Sequence, residues 1–224
     1  MTAPALSDSD SPAPGRRRRN RGSEVVRDAL VNAAMVEFAA HGFDGASTRR
    51  IAEAAGAHQS QIAYHFDSKA ELWRRCVSLL IDELDAEVAA GLDRVDRDDP
   101  QAAMEALIRG LVRFASTHPE LSRLMMHEGT TPGPRLAWLV DTKLQRRHAT
   151  IAAAWQELLD DGTVAPIDAD LLYHSVIGAA SLIYANAPEA VLLGIEPADP
   201  DLVRRHEDAL VALFLRPTSR TGPP

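Results

Sequence analysis

The sequence predicts an all-α fold, in which a small N-terminal helical domain is followed by a larger helical body. Only 5% of the residues are aromatic, while alanine and leucine are abundant, which favours helices over sheets. Apolar residues recur at steps of three and four along most of the chain, as on one face of an α-helix. Residues 15–75 carry 11 Lys and Arg against 7 Asp and Glu, whereas residues 76–224 carry 13 against 23. A basic N-terminal segment therefore precedes an acidic body, as in proteins with a separate nucleic-acid-binding domain.

The first 22 residues are expected to form a disordered arm, because residues 1–14 show no apolar periodicity. Four arginines follow, namely Arg16, Arg17, Arg18 and Arg19. Ser23 then offers the N-cap of a first helix that we expect to end near Ala40, before His41-Gly42. This helix is expected to be the scaffold for the next two.

The stretch after the first helix predicts two short helices about a glycine turn. Ser47 and Thr48 offer hydroxyl groups for the N-cap of the first of them. Gly56 supplies the left-handed residue that ends it without steric cost. The inward-facing residues of the second short helix are Ile62 and Phe66, four positions apart on one face. This arrangement is typical of a helix-turn-helix, whose second helix contacts base edges in the major groove of DNA.

Several coordinated positions in this region resemble the signature of the TetR (tetracycline-repressor-like) family of regulators. They are Thr48, the Ile51-Ala52…Ala55-Gly56 spacing, and Tyr64-His65-Phe66-Asp67-Ser68-Lys69…Leu72. The resemblance covers residues 24–72, and the rest of the chain agrees with the family in length and helical character. It implies a DNA-binding domain, here residues 23–70. It also implies a helical domain for effector binding and dimerisation, here residues 71–216, before a disordered tail at 217–224.

The resemblance also indicates which side chains contact DNA. The family's phosphate contacts correspond to Thr48, Tyr64 and Lys69. Tyr64 takes this role because Ala63 stands where the family often has an aromatic residue. Base edges are assigned to Gln59, Ser60 and Gln61, since Gln can pair with adenine N6 and N7. Arg49, His58 and His65 complete the predicted surface, although His58 stands where the family usually has Ser or Asn as a helix N-cap.

The arginine run allows two interpretations. It is either a solvated charged segment that keeps the arm soluble, or an arm that contacts phosphates or enters the minor groove of DNA. Its position directly before the DNA-binding domain favours the second, so Arg16, Arg17, Arg18 and Arg19 are included among the predicted DNA contacts.

The body is predicted to begin with a long fourth helix from Asp67-Ser68 to about Ala90, which connects the DNA-binding domain to the rest of the chain. Further helices are expected at about 101–117, 119–128, 135–160, 168–186 and 201–215. The helix at 168–186 is apolar on nearly every side, which predicts burial on every side. The fourth helix is a rigid element that runs from the DNA-binding domain into the body, so it can transmit a movement of one to the other.

An effector pocket is predicted between the fourth helix and the helices of residues 101–160. Methionines adapt to irregular ligands, tryptophans combine flat apolar area with a polar group, and histidines can orient a ligand by hydrogen bonds. The predicted lining is Met104, Phe114, His118, Met125, Met126, His127, Trp138 and Trp155. Each residue taken singly is better explained by core packing. As a group, in a chain that resembles a family of small-molecule sensors, they favour a pocket for a largely apolar effector.

A homodimer is predicted through the helices at 168–186 and 201–215. The residues assigned to the interface are Leu171, His174, Gly178, Leu182, Val203, Leu210 and Phe214. A two-fold dimer presents two recognition helices, so the expected operator is an inverted repeat in double-stranded DNA. The predicted function is a repressor released by its effector. The alternative is a helix-turn-helix regulator whose body only dimerises or docks another protein, without a ligand.

Enzymatic chemistry is not expected from this sequence. It contains no Gly-rich phosphate loop, no cysteine pair and no His or carboxylate spacing of a metal site, so no cofactor and no metal are predicted. The single cysteine, Cys76, excludes an intramolecular disulfide, and without an apolar leader the protein is expected to be cytoplasmic. No stretch is long and apolar enough to predict a membrane span.

Overall fold

The structure, a computed structural model, describes residues 14–96, 98–162, 164 and 166–215, with backbone alone for 14–21. Within these ranges every regular element is helical, which confirms the predicted all-α class. The elements are α1 (Pro14–Gly45), α2 (Thr48–Ala54), α3 (Ser60–Phe66), α4 (Lys69–Leu92), α5 (Pro100–Thr117), α6 (Pro119–Gly129), α7 (Pro134–Leu139), a π-helical segment (Val140–Leu144), α8 (Gln145–Asp160), α9 (Ala169–Ala185), α10 (Ala187–Leu192) and α11 (Pro200–Leu215). No helix of the described ranges combines the length and hydropathy that crossing a membrane requires.

The start of α1 differs from the sequence-based expectation, whereas its predicted end is confirmed. The helix begins at Pro14 rather than at Ser23, because proline suits the first turn of a helix and arginine has high helix propensity. The range Pro14–Gly45 contains two helices that meet at a kink at Gly42, whose φ of 65° and ψ of 178° are not helical. The long helix therefore ends at His41-Gly42, as predicted, and a short helical turn follows to Gly45.

Side-chain caps define several other helix starts, as predicted. Ser47 Oγ accepts a hydrogen bond from the Arg50 amide at the start of α2. Ser68 Oγ accepts one from the Glu71 amide at the start of α4, at 3.1 Å, and Asp168 caps α9. These bonds satisfy amides that the first turn of a helix leaves without a partner.

The described residues form two hydrophobic cores. The first lies among α1 to α4, α6 and α7, and it includes Phe38, Ile51 and Trp73. The second lies among α5, α8, α9 and α11, and it includes Trp155 and Tyr184. Helix α5 contributes to both cores and crosses α4 closely, because a Cβ on Gly110 would stand 3.3 Å from Val88.

The helix expected at about 135–160 is composed of three segments. α7 packs Trp138 and Leu139 against the first core, and α8 packs Trp155 and Leu158 into the second. The π-helical segment Val140–Leu144 lies between them. Residues 134–160 thus form one helical rod that contacts both cores. The helix type changes from α to π and back between the two contacts.

Candidate nucleic-acid interface

The turn between α2 and α3 has the predicted helix-turn-helix geometry. Gly56 adopts a left-handed φ of 64° after the last turn of α2, and the Ala57 amide donates to Ala52 O at 2.9 Å. The inner side of α3 is buried at Ile62 (4% exposed) and Phe66 (6% exposed). Burial of these two side chains sets the orientation of α3 and leaves its opposite side exposed.

The exposed side of α3 carries most of the predicted base-reading residues. Gln59, Ser60 and Tyr64 are exposed, and Tyr64 keeps 78% of its surface accessible. The His65 ring lies edge-on to the Tyr64 ring with centroids 4.9 Å apart. Tyr64 therefore presents its phenol away from the core, as a side chain that contacts a phosphate requires.

Two of the predicted contacts bond to each other in the free protein. Gln59 Nε2 donates to Thr48 Oγ1 at 2.9 Å, so the starts of α2 and α3 are joined. The residue before α3 is Gln59, whose side chain makes no capping bond. Instead, Gln61 Oε1 accepts from the His58 amide at 2.9 Å. Gln61 is thus half-buried and engaged locally, and its contact with a base stays a prediction.

Lys69 lies at the first turn of α4 and contacts the turn between α1 and α2. Its Nζ donates to Ala46 O at 2.6 Å and lies 4.8 Å from the centre of the Phe43 ring. Burial lowers the pKa of Lys69, although the nearby Asp44 carboxylate opposes the shift. The ammonium group is therefore held between the two helices that flank the helix-turn-helix.

Glu37 is a structural residue of this site that the sequence analysis missed. Its Oε1 accepts from the Ser47 amide and from Arg50 Nε, both at 2.8 Å, and so joins α1 to the start of α2. Burial alone would raise the pKa of Glu37, but the hydrogen bonds from Arg50 and Ser47 outweigh it and lower that pKa. A glutamate ten positions before the cap carries no local sequence signal of this contact.

The remaining predicted contacts are exposed or half-buried, or their side chains are outside the described part. Arg49 is exposed, and its Nε donates to Glu53 Oε1 at 2.8 Å. His58 is exposed and His65 half-buried. The side chains of Arg16, Arg17, Arg18 and Arg19 lie outside the described residues, so their contact with DNA stays a prediction.

The structure does not bring the predicted effector residues together. Phe114, Met125 and Trp138 belong to the first core, whereas Met104 and Trp155 belong to the second. Trp155 Nε1 already donates to Ile167 O at 2.9 Å. Of the remaining three, Met126 and His127 are exposed, and the half-buried His118 stacks on Phe114 with ring centroids 4.5 Å apart.

Two surface pockets lie elsewhere. One, of about 390 Å³, is apolar and lies between α9 and α10 beside Leu182 and Leu193. The other, of about 490 Å³, lies beside Arg123 and Asn186. Neither is lined by a predicted effector residue. Within the described ranges, no three His, Cys, Asp or Glu side chains are grouped so that they could hold a metal ion.

The predicted dimer residues divide into an exposed and a buried set. Leu171 (64% exposed), His174, Gly178 and Leu182 (52% exposed) follow one another at steps of three and four, and so share an exposed face of α9. The prediction that α9 is buried on every side is therefore wrong for the single chain, in which this face is exposed.

The assignment of Leu210 and Phe214 to an exposed interface is also wrong for this chain. Both are buried in its own second core, at 6% and 4% exposed, and Val203 packs against the same core. Leu213 points outward instead, at 61% exposed. The helical spacing correctly marks an apolar stripe on α11, but it does not indicate whether the stripe packs within the chain or against a partner.

Comparison with known proteins agrees with this architecture over nearly the whole chain. The family model "Bacterial regulatory proteins, tetR family" matches residues 30–76. A second model, "YcdC-like protein, C-terminal region", matches residues 80–218.

Two individual relatives and one solved structure are similar to this chain over most of its length. The HTH-type transcriptional regulator RutR of Escherichia coli (strain K12) is 29% identical over 178 residues, which is 77% of this chain and 80% of RutR. The HTH-type transcriptional repressor SCO4008 of Streptomyces coelicolor is 30% identical over 190 residues, covering 82% of this chain and 92% of the repressor. The crystal structure of AibR in complex with isovaleryl coenzyme A and operator DNA has the same fold. Its TM-score is 0.69 at 17% identity, over 86% of this chain and 100% of AibR.

The matched ranges coincide with the structural division. The first family model contains α2 and α3 with the exposed face of Tyr64, and the second contains the helical body from within α4 onward. Both relatives are named as transcriptional regulators and not as enzymes. The chain belongs to the tetR family of bacterial regulatory proteins and is a helix-turn-helix transcriptional regulator.

Proposed function

We propose that the protein is a homodimeric repressor that binds an inverted-repeat operator and releases it when a small, largely apolar effector binds the body. The observation that carries the proposal is the exposed side of α3 with its preceding residue, where Gln59, Ser60 and Tyr64 face solvent. Ile62 and Phe66, on the opposite side, are buried. A short helix held by its inner face in this way is suited to the major groove. That SCO4008 is named a repressor supports the direction of control.

The DNA contacts are proposed to divide by role. Thr48, Tyr64 and Lys69 bind phosphates and set the position of the domain on the duplex, without reading sequence. Gln59, Ser60 and Gln61 face the base edges. Arg49, His58, His65 and the four arginines of residues 16–19 surround these contacts. The bond between Gln59 and Thr48 opens on binding, because both side chains then contact DNA.

The dimer is proposed to form through the exposed face of α9. Leu171 and Leu182 are large apolar side chains in open contact with solvent, and the absence of a side chain at Gly178 between them permits close approach of a second helix. An apolar helix face of this size is unfavourable in water unless another surface covers it. The same face on a second copy is self-complementary about a two-fold axis.

The effector is proposed to bind between α4 and the helices of residues 101–160. His118 is the polar group best placed to orient it: its ring stacks on Phe114, and its Nε2 lies 3.6 Å from Glu83 Oε2 on α4. Entry of a ligand requires Met104 and Met125 to repack, which their flexible side chains allow. That AibR forms a complex with both isovaleryl coenzyme A and operator DNA supports sensing of a small molecule by this fold.

A body without a ligand is the second candidate. It is favoured by the division of the predicted lining residues between two packed cores. In that case the body dimerises or docks another protein, and control of DNA binding comes from the partner. Reciprocity separates the two candidates, because an effector that weakens operator binding must itself bind more weakly, by the same factor, when operator is present.

Selection of bound fragments from a random DNA pool with the purified protein tests the proposal. The expected result is an enriched inverted repeat whose two half-sites lie about one helical turn apart or somewhat more. Titration of that fragment with candidate apolar ligands then measures the coupling, which is expected to be about 1–3 kcal/mol. Failure to enrich any sequence would refute sequence-specific binding.

A further inference from the structure

The turn that leads from α1 into α2 is contacted by the body as well as by the DNA-binding domain. On the body side, the guanidinium carbon of Arg135 in α7 lies 3.9 Å from the centre of the Phe43 ring. Arg135 Nη2 also lies 3.8 Å from Asp44 Oδ2. On the other side, Lys69 contacts the same Phe43 ring and Ala46 O. Residues 43–46 are therefore contacted both by a cation of the body and by a cation of the DNA-binding domain.

Arg135 is anchored by a buried carboxylate. Its Nε donates to Glu128 Oε2 at 3.1 Å, and Glu128 in α6 is only 5% exposed. A buried carboxylate is costly without a cationic partner, so this pair holds the guanidinium in place. The planar guanidinium can bond to a carboxylate and lie over an aromatic ring at the same time. The position of Arg135 over Phe43 is thus set by α6.

Lys69 depends on the same turn for its own position. Its Nζ donates to Ala46 O at 2.6 Å and lies over Phe43. Burial lowers the pKa of Lys69, and the charge of Arg135 contributes in the same direction. Displacement of Phe43 would remove one contact of the Lys69 ammonium and move the carbonyl that accepts its hydrogen bond.

The element that carries Arg135 extends to the second core. From α7 the chain continues as one helical rod through the π-helical segment to α8, which buries Trp155 and Leu158. Along the way, Lys143 Nζ lies 3.6 Å from Asp82 Oδ1 of α4. The segment that carries Arg135 therefore links residues 43–46 to the second core without a break in the helical chain.

We propose that Arg135 is a positioning residue for DNA binding. Seated on Phe43 and anchored by Glu128, it holds residues 43–46 so that Lys69 stays at the start of α4, where it binds phosphate. Arg135 acts from the body and through Phe43, without touching DNA itself. The inference rests on the proposed phosphate contact of Lys69.

The test compares single variants on the DNA fragment selected from the random pool. Arg135→Ala is expected to weaken binding about three- to thirtyfold, and to reduce the salt slope by about one unit because one phosphate contact is lost. Arg135→Lys keeps a cation over the ring and is expected to restore most of the affinity. The matched control, Arg146→Ala, removes the same charge from an exposed position of the same rod and is expected to bind as the wild type does.

A double variant separates positioning from a general loss of stability. If Arg135 acts through Lys69, Lys69→Ala/Arg135→Ala binds no more weakly than Lys69→Ala alone. Losses that multiply, or an unchanged salt slope in Arg135→Ala, would overturn the inference. If Arg135→Ala does not fold, the pair replacement Glu128→Gln/Arg135→Gln, which leaves no unpaired buried charge, takes its place under the same expectations.

Different results would refute the phosphate contact of Lys69 and the positioning role of Arg135. Wild-type binding by Lys69→Ala would refute the phosphate contact of Lys69, and with it the positioning role. Wild-type binding by Arg135→Ala beside a weakened Lys69→Ala would refute the role of Arg135 alone.

Discussion

Gln59 Nε2 donates a hydrogen bond to Thr48 Oγ1 at 2.9 Å, and this bond joins the first turns of the two helices of the helix-turn-helix. Both side chains belong to the proposed DNA contacts. Their bond sets the relative position of α2 and α3 in the free protein. The same bond has to be exchanged for contacts with DNA, so these residues affect both the stability of the free domain and its affinity.

Replacement of Lys69 by Ala is expected to weaken binding to selected and random DNA by the same factor. A phosphate contact carries no sequence information, and its loss should reduce the slope of log K against log salt concentration by about one unit. Fluorescence anisotropy at several salt concentrations measures both effects. Arg204→Ala, an exposed arginine of α11, is the control. A loss confined to the selected sequence would contradict the assignment to phosphate.

Replacement of Gln61 by Ala is expected to relax the preference at one base pair, at a cost of about 1–3 kcal/mol on the selected site alone. It should also destabilise α3 by about 1 kcal/mol, because Gln61 Oε1 accepts a hydrogen bond from the His58 amide. Gln61→Glu keeps this acceptor but loses the amide that pairs with adenine, so it should lose specificity while retaining the cap. Equal losses on selected and random DNA would show that Gln61 does not read a base.

The Glu37 carboxylate is expected to make the free energy of unfolding depend on pH. Because its folded-state pKa is lowered, its contribution is fully present above the unfolded-state pKa and disappears as the pH falls through the folded-state pKa. At pH 7, Glu37→Gln should therefore cost about 1–3 kcal/mol of unfolding free energy. The difference in unfolding free energy between Glu37→Gln and the wild type should become smaller as the pH falls below the ordinary pKa range of a carboxyl group. Urea denaturation at pH 7 and at successively lower pH values measures it, and a difference that grows with acidity would contradict the assignment.

Leu182→Glu is expected to convert the proposed dimer into monomers with little operator affinity, because it places a charge in the exposed apolar face of α9. Val36→Glu, at a similarly exposed valine of α1 (62%), should leave the dimer intact. Sedimentation velocity distinguishes the two states. Leu210→Glu is a different case: Leu210 is buried within its own chain, so this variant should unfold rather than form folded monomers. A dimeric Leu182→Glu would refute the proposed interface.

Cys76 is expected to be inert in the folded protein. It is fully buried, and burial raises the pKa of its thiol to about 12, so the reactive thiolate is scarce at neutral pH. A colorimetric thiol reagent should therefore label the chain only after denaturation. Rapid labelling without denaturant would show that the first core opens readily around α4.

Local chemistry made much of this protein predictable from its sequence. A hydroxyl at Ser47 or Ser68 caps a helix, and Gly56 adopts a left-handed turn, because each depends on neighbours within a few positions. Helical spacing likewise located most of the body helices to within a few residues. The family resemblance added the assignment of the helix-turn-helix to DNA.

Only the tertiary structure decided which apolar or charged residues meet. The spacing on α11 marks Leu210 and Phe214 as a stripe, but the packing of α11 against α5 turned them into the chain's own core. The contacts of Arg135 with Phe43, and of Glu37 with Ser47, join residues of different helices. Such contacts depend on the distances and crossing angles of packed helices, which local propensity does not encode. For the same reason, the eight residues assigned to one effector pocket are divided between two cores and the surface.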